Sequence, residues 1–239
     1  MRSRLVRVLV TVVALGVVLV AADLAARTWA TDRFAAAVRE EYDLPSDPRV
    51  SVAGGSFLWQ VVRGRFDDVT VQVDDLPAGS VALQDVRVRL PEVDVPPAVL
   101  AGRGGTVDVS AGTVRAHVSF DELAREISVG GLDVALARDE DAVRASTTVR
   151  VLGLGLDLAL TVRPALDGEL VRLEPLRAEL AGAQVPLSRA ERLLEAAGFD
   201  GWSIELSDVP EQVRLDSLQV VDDGIDVDGT VVAGAVDVG

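Results

Sequence analysis

The sequence predicts an α+β fold. A long, curved, mostly antiparallel sheet wraps around one or two helices, and an N-terminal hydrophobic helix precedes it. Three observations carry this reading. Three arginines lead into an uncharged apolar run near the N-terminus. From Val50 onward the apolar period falls to two in stretch after stretch. Within that strand-rich body only two segments open with a helix-capping signature.

Taken in order, Arg2, Arg4 and Arg7 precede Val8 to Ala22, a run of 15 uncharged residues. As a helix it spans roughly 22 Å, short of the ~30 Å hydrocarbon core, so it reads as a signal peptide. Val20-Ala21-Ala22 supplies a small-residue cleavage site. The alternative is an uncleaved anchor, lengthened by Leu5 and Val6 with Arg7 snorkelling, and at the far end by Leu24 to Ala26. Residues 1–22 are therefore signal peptide or membrane anchor. Either way the positive end stays in the cytoplasm. The rest is expected to be exported, anchored to or peripheral on the outer face of the cytoplasmic membrane, in a periplasm-like space. Residues 23–45, rich in Ala and Arg and closed by Pro45, form a helical stalk or the first helix of the domain. Trp29 and Phe34 either stiffen that stalk or sit at headgroup level.

Residues 46–239 form the α+β domain. Alternation is clear in Val69–Asp74, Val81–Leu83, Val86–Leu90, Thr106–Ser110, Val114–Val118, Leu132–Leu136, Val143–Val151, Leu154–Val162, Leu170–Leu173, Leu176–Leu180, Trp202–Leu206, Val213–Val220 and Ile225–Asp228. Asp74–Pro77, Ala101–Gly105, Asp139–Asp141 and Asp222–Gly224 read as turns. One apolar and one wet face favour antiparallel pairing. The capping boxes Ser119-Phe-Asp-Glu122 and Ser188-Arg-Ala-Glu191 start helices that end at Gly130-Gly131 and Gly198. Pro96 to Leu100 is a short helix or a loop. So few helices leave the large sheet either closed as a barrel or open as an apolar groove.

Composition removes whole classes of function. The chain has no Cys and one His, so Cys-ligated or multi-His metal sites and thiolate nucleophiles are excluded. No cofactor and no metal is expected. All 23 basic residues are Arg, against 38 acids, and the net charge of −15 argues against nucleic acid. The charge is uneven: residues 1–40 hold six Arg and three acids, and the remainder 17 Arg and 35 acids. A Ser/His/Asp triad would have to use His117, which sits in a strand and reads as a satisfied or surface side chain. The Asp222–Asp228 acids lack the closing Glu of a calcium loop and read as a hairpin. The chain is expected not to be an enzyme.

One segment stands out. Between Gly54 and Val71, Phe57, Leu58, Trp59 and Phe66 concentrate bulk around Arg63 and Arg65, in a chain with only nine aromatic residues. It reads as a core hairpin, or as an apolar lip with two guanidiniums suited to acyl chains and a phosphate headgroup. Gly55-x-Phe57-Leu58-x-Gln60 followed by Gly64-x-Phe66-x-x-Val69-x-Val71 resembles the opening motif of the LmeA family, actinobacterial envelope proteins described as phospholipid-binding. Leu206-x-x-Val209-Pro210 and Val213-x-Leu215-x-Ser217-Leu218-x-Val220-x-Asp222-Asp223-Gly224-Ile225 are similar to its closing motif. Asp23-Leu-Ala-Ala-Arg27, where the N-terminal run ends, is similar too. The resemblance implies a tubular-lipid-binding-like sheet wrapped on helices, and a role in envelope lipid or lipoglycan homeostasis.

The function expected is non-enzymatic phospholipid binding in the cell envelope. Acyl chains would be held in an apolar groove by Phe57, Leu58, Trp59, Phe66, Leu123, Ile127, Leu193, Leu194 and Trp202, with Arg63 and Arg65 at the headgroup. The partners expected are phospholipid, the membrane and an envelope protein. The alternative is a structural or adaptor domain that docks an envelope enzyme and has no lipid groove.

Overall fold

The computed structural model describes residues 2–41, 43–78, 81–101, 103–127, 133–151, 154–167, 170–196, 203–205 and 212–238. The chain opens with α1 (Arg2–Glu41), β1 (Arg49–Val52), α2 (Phe57–Arg63), β2 (Arg65–Ala78), β3 (Val81–Asp94) and α3 (Pro97–Leu100). It continues through β4 (Gly105–Val109), β5 (Gly112–Ser119), α4 (Phe120–Ile127), β6 (Ala135–Asp139), β7 (Ala142–Val151), β8 (Leu154–Asp167) and β9 (Leu170–Leu180). It ends with β10 (Ala183–Val185), α5 (Leu187–Ala196), β11 (Ser203–Glu205), β12 (Val213–Val220), β13 (Gly224–Val231) and β14 (Gly234–Val238).

The fold is mostly antiparallel sheet with a few helices, and the strands divide between two sheets where the sequence predicted one. An eight-stranded sheet runs β1-β2-β3-β5-β13-β12, with β4 pairing β3 and β14 pairing β4. A six-stranded sheet runs β10-β9-β8-β7-β6, with β11 on β9. The chain leaves the first sheet at Ser119, starts the second at Ala135 and returns at Val213. α4 lies on the first of these crossings, because a tight hairpin turn pairs neighbours within one sheet and cannot move the chain to another, whereas α5 lies between β10 and β11 of the six-stranded sheet.

Alternation does not hold one parity along the long strands, and each switch has a structural cause. In β2 the buried residues change parity from Phe66 to Val73, and Asp68 between them has φ 49°. In β3 Val86 is buried, and Asp85 before it has φ 49°. In β9 Val162 pairs Pro175 and Thr161 pairs Arg177, so Leu176 is the additional residue. In β12 Leu215 pairs Gly229 and Ser217 pairs Asp228, so Asp216 is additional. A bulge adds one residue and returns the apolar set to its own face. Aspartate tolerates the left-handed region better than bulkier residues, and a proline is accepted where ladder pairing is already broken. These switches explain why Val81–Leu83 and Val86–Leu90 read as separate strands. The Asp74–Pro77 turn is likewise corrected, since those residues lie inside β2.

The hairpins at Asp139 and Asp223 stand as predicted, Asp139 pairing Ala142 and Val220 pairing Ile225. Ser119 Oγ accepts the Glu122 amide at 3.3 Å and starts α4, as its capping box requires. The second box is corrected. α5 starts one residue early, at Leu187, and its first turn closes on the Pro186 carbonyl, which accepts from Arg189. Pro186 already has the φ that a helix start needs, so Ser188 falls inside the first turn. Gly130, Gly131, Gly198, Trp202 and Leu206–Pro210 lie outside the described residues.

The N-terminal helix is present, and it continues past Ala22 to Glu41 without a break. The transmembrane expectation is corrected to this extent: among the described residues no helix is long and apolar enough to cross a membrane. Beyond the uncharged run the helix carries Asp23, Arg27, Asp32, Arg33 and Arg39.

The chain resolves into two compact units. The first comprises residues 1–72, 88–112 and 233–239, and the second residues 73–87 and 113–232. In the first, Phe57, Phe66 and Val93 form a buried cluster with Ala26, Ala30, Val52, Val61 and Leu90 against it. In the second, Val143, Leu158, Leu160, Val162 and Ala178 of the six-stranded sheet pack with Phe120, Ala190 and Val220.

Candidate functional site

The aromatic segment is a helix and not a hairpin, and its side chains therefore part company. Ser56 is the N-cap of α2, its Oγ accepting the Trp59 amide at 3.3 Å. Gly64 closes the helix in the left-handed region at φ 68°. A side chain there would place Cβ 2.6 Å from the Val95 carbonyl oxygen, and Gly64 in turn accepts the Val95 amide at 2.7 Å. The hundred-degree step of a helix turns Phe57 inward, where its ring meets Phe66 at 5.9 Å. Leu58, Trp59 and Val62 face outward and are 40%, 55% and 71% exposed.

Gln60 ties this helix to its strand. It is buried, its amide donates to the Ala53 carbonyl at 3.1 Å, and its Oε1 accepts the Asp67 amide at 2.9 Å. Phe57, Gln60, Gly64 and Phe66 of the opening motif are thus structural: they place α2 and fix which of its faces is wet.

Asp23 of α1, in the Asp23-Leu-Ala-Ala-Arg27 stretch that the resemblance includes, meets the start of α2. Its Oδ1 accepts from the Ser56 hydroxyl at 2.7 Å and from the Leu58 amide at 2.8 Å, and its Oδ2 accepts the Phe57 amide at 3.0 Å. These bonds, the Leu58 amide first, then Ser56 and Phe57, hold its carboxyl below the usual aspartate range. Arg27, one turn on, donates to the Gly55 carbonyl at 2.8 Å and faces Asp23 at 3.8 Å. The signal was in the Asp23-x-x-x-Arg27 spacing, which puts both on one helix face.

The two headgroup candidates differ. Arg65 donates to both Asp94 oxygens, at 2.8 and 3.4 Å, with Glu92 at 3.9 Å. Arg63 lies over the Trp59 ring at 4.7 Å and has no carboxylate partner among the described residues. Arg63 thus keeps its donors available for an anion, whereas Arg65 already has one.

The remaining acyl candidates lie elsewhere. Leu123 packs against the buried cluster of the second unit, and Ile127 is half-buried at the end of α4. Leu193 and Leu194 lie on α5, their side chains outside what is described. Phe57 and Phe66 meet in the first unit, whereas Leu123 and Ile127 belong to the second. Two hollows are described, both in the second unit. One of about 570 Å³ is walled by Arg144, Glu179, Thr147, Thr148 and Asp157, and one of about 450 Å³ by Asp121, Arg125 and Asp133. Charged and hydroxyl side chains share these walls with Ala135, Leu158 and Ala159 in the larger hollow and with Ala124 and Val134 in the smaller. His117 is satisfied, its Nδ1 2.8 Å from Asp226 Oδ1. Among the described residues no group of His, Asp and Glu is arranged to hold a metal ion.

A family model described as LmeA-like phospholipid-binding matches residues 21–230. No curated protein and no solved structure matches the chain.

Proposed function

We propose, since this chain belongs to the LmeA-like phospholipid-binding family, that it holds phospholipid in the cell envelope without performing chemistry on it. One observation in the structure carries the choice of site. α2 leaves Leu58, Trp59 and Val62 in water beside a guanidinium that has no carboxylate partner among the described residues. Exposed apolar groups of this size call for a partner, and a stacked, unpaired guanidinium suits a phosphate. Acyl carbon lies along Leu58, Trp59 and Val62 and the phosphate meets Arg63, while Phe57 and Phe66 anchor the helix from its buried side. Arg65 sets the shape of the strand edge through Asp94. The working compartment is the outer side of the cytoplasmic membrane, following the basic–apolar order of the N-terminus.

The test is native mass spectrometry with lipid analysis on the full chain purified from a membrane-containing host. Phospholipid is expected at near-unit stoichiometry, with several-fold less retained by Trp59→Ala and by Arg63→Ala. An empty chain that also ignores phospholipid vesicles would overturn the reading. It would favour an adaptor domain docking an envelope enzyme, which the filled core of the second unit suits.

A further inference from the structure

We propose that the exposed face of α2 docks on the surface of a phospholipid bilayer, with Asp23 setting its depth at the headgroup level. The inference deepens the lipid-binding reading and rests on it.

α1 is one unbroken helix, and Asp23 is the first charge after the uncharged run Val8–Ala22. With that run seated in the bilayer without crossing it, Asp23 marks the level at which the bilayer becomes polar. A carboxylate at such a boundary is costly unless its oxygens are satisfied. Asp23 already accepts from the Ser56 hydroxyl and from the Phe57 and Leu58 amides, all within 3.0 Å. Those bonds fasten the start of α2 to α1 at that level. α2 has seven residues, about 10 Å of helix. Leu58, Trp59 and Val62 therefore lie within about 10 Å of the boundary, comparable with the interfacial layer on one side of a bilayer. Tryptophan and arginine together are the residues that suit this layer, the ring amphipathic and the guanidinium reaching for phosphate.

Charge and area choose the bilayer over a protein. Residues beyond 40 hold 17 Arg against 35 acids, so an anionic surface does not attract the body as a whole. Contact has to be local and apolar, with its cation at the edge, as Arg63 over Trp59 provides. Three exposed side chains on a seven-residue helix also fall well short of the roughly 800 Å² that each partner buries in a stable protein interface.

The chain has no Cys, so Val62→Cys offers a single attachment point for a nitroxide at a position already 71% exposed. Leu176→Cys, on β9 of the second unit and 42% exposed, is the control. The full chain is placed in vesicles of phosphatidylcholine and phosphatidylglycerol at a ratio of about three to one, a composition chosen to be moderately anionic. The accessibility of the label to oxygen and to a water-soluble nickel chelate is then measured by power saturation. The oxygen-to-nickel ratio is expected to be several-fold higher at position 62 than at 176. Equal ratios would overturn the proposal, as would a label at 62 shielded from both reagents, which would point to a protein partner. Lipid per chain, counted on the same preparation, separates the two readings. Bound lipid with an aqueous label at 62 removes the docking surface and leaves lipid binding. A bilayer-level label on a lipid-free chain keeps the docking surface and removes the lipid-holding role.

Discussion

Both carboxylate oxygens of Asp23 are committed to the first turn of α2, so Asp23→Ala should free that turn. Amide exchange at Phe57 and Leu58 is expected to accelerate at least tenfold, while the α4 amides stay unchanged. The pH response has a definite sign. The carboxyl is held below its ordinary value of 3.8 in the folded chain. Its contribution is therefore complete above about pH 4 and fades as pH falls through the lower folded value. Trp59 emission should hold steady from neutral pH to about pH 4 and change only below it. Phe57 and Trp59 make a second contrast. Phe57 is 6% exposed, and its replacement by Ala should cost about 3–5 kcal/mol in urea denaturation. Trp59→Ala should leave the urea midpoint nearly unchanged while lowering retained lipid. The sequence showed these residues as one aromatic concentration. It did not show that two face inward and two outward, because strand and helix periods sort the same residues differently. Nor could it distinguish Arg63 from Arg65, since Asp94 lies 29 positions away from Arg65.

α2 was missed as a helix because seven residues are too few to show a period. Its brackets were legible all the same: a capping Ser56 and a closing Gly64. Gly64 is the sharper test. Alanine there would take an unfavourable φ and press Cβ on the Val95 carbonyl. A loss of about 2 kcal/mol or more is expected from chemical denaturation. α4 was legible because its serine caps the helix as predicted. α5 was legible in place but not in its start, because its first turn closes on the Pro186 carbonyl, which accepts the Arg189 amide and leaves Ser188 inside the helix. The strands were legible wherever one parity lasted; the reading broke at Asp85 and beside Leu176, and ran on across the bulge at Asp216.

Across the whole chain, antiparallel strand dominance and family membership were readable from period and motif, and the family match covers residues 21–230. The division into two sheets was not, because pairing partners lie far apart in sequence. Val220 joins a core with Phe120 and Leu158 that no local pattern connects. Leu158, 2% exposed, should be the costliest aliphatic in that core, and Leu158→Ala is expected to lose about 2–5 kcal/mol by urea titration. The bulges at Leu176 and Asp216 have a different consequence. Inside and outside along a strand form a reading frame of two, and a lost or gained residue throws everything after it onto the wrong face. At these two positions the ladder already carries one residue more than its partner. Deleting either would restore an even count and leave every other side chain in frame. The sheets therefore hold their own slack for changes of length, and that slack lies inside the strands, where such changes are ordinarily least tolerated.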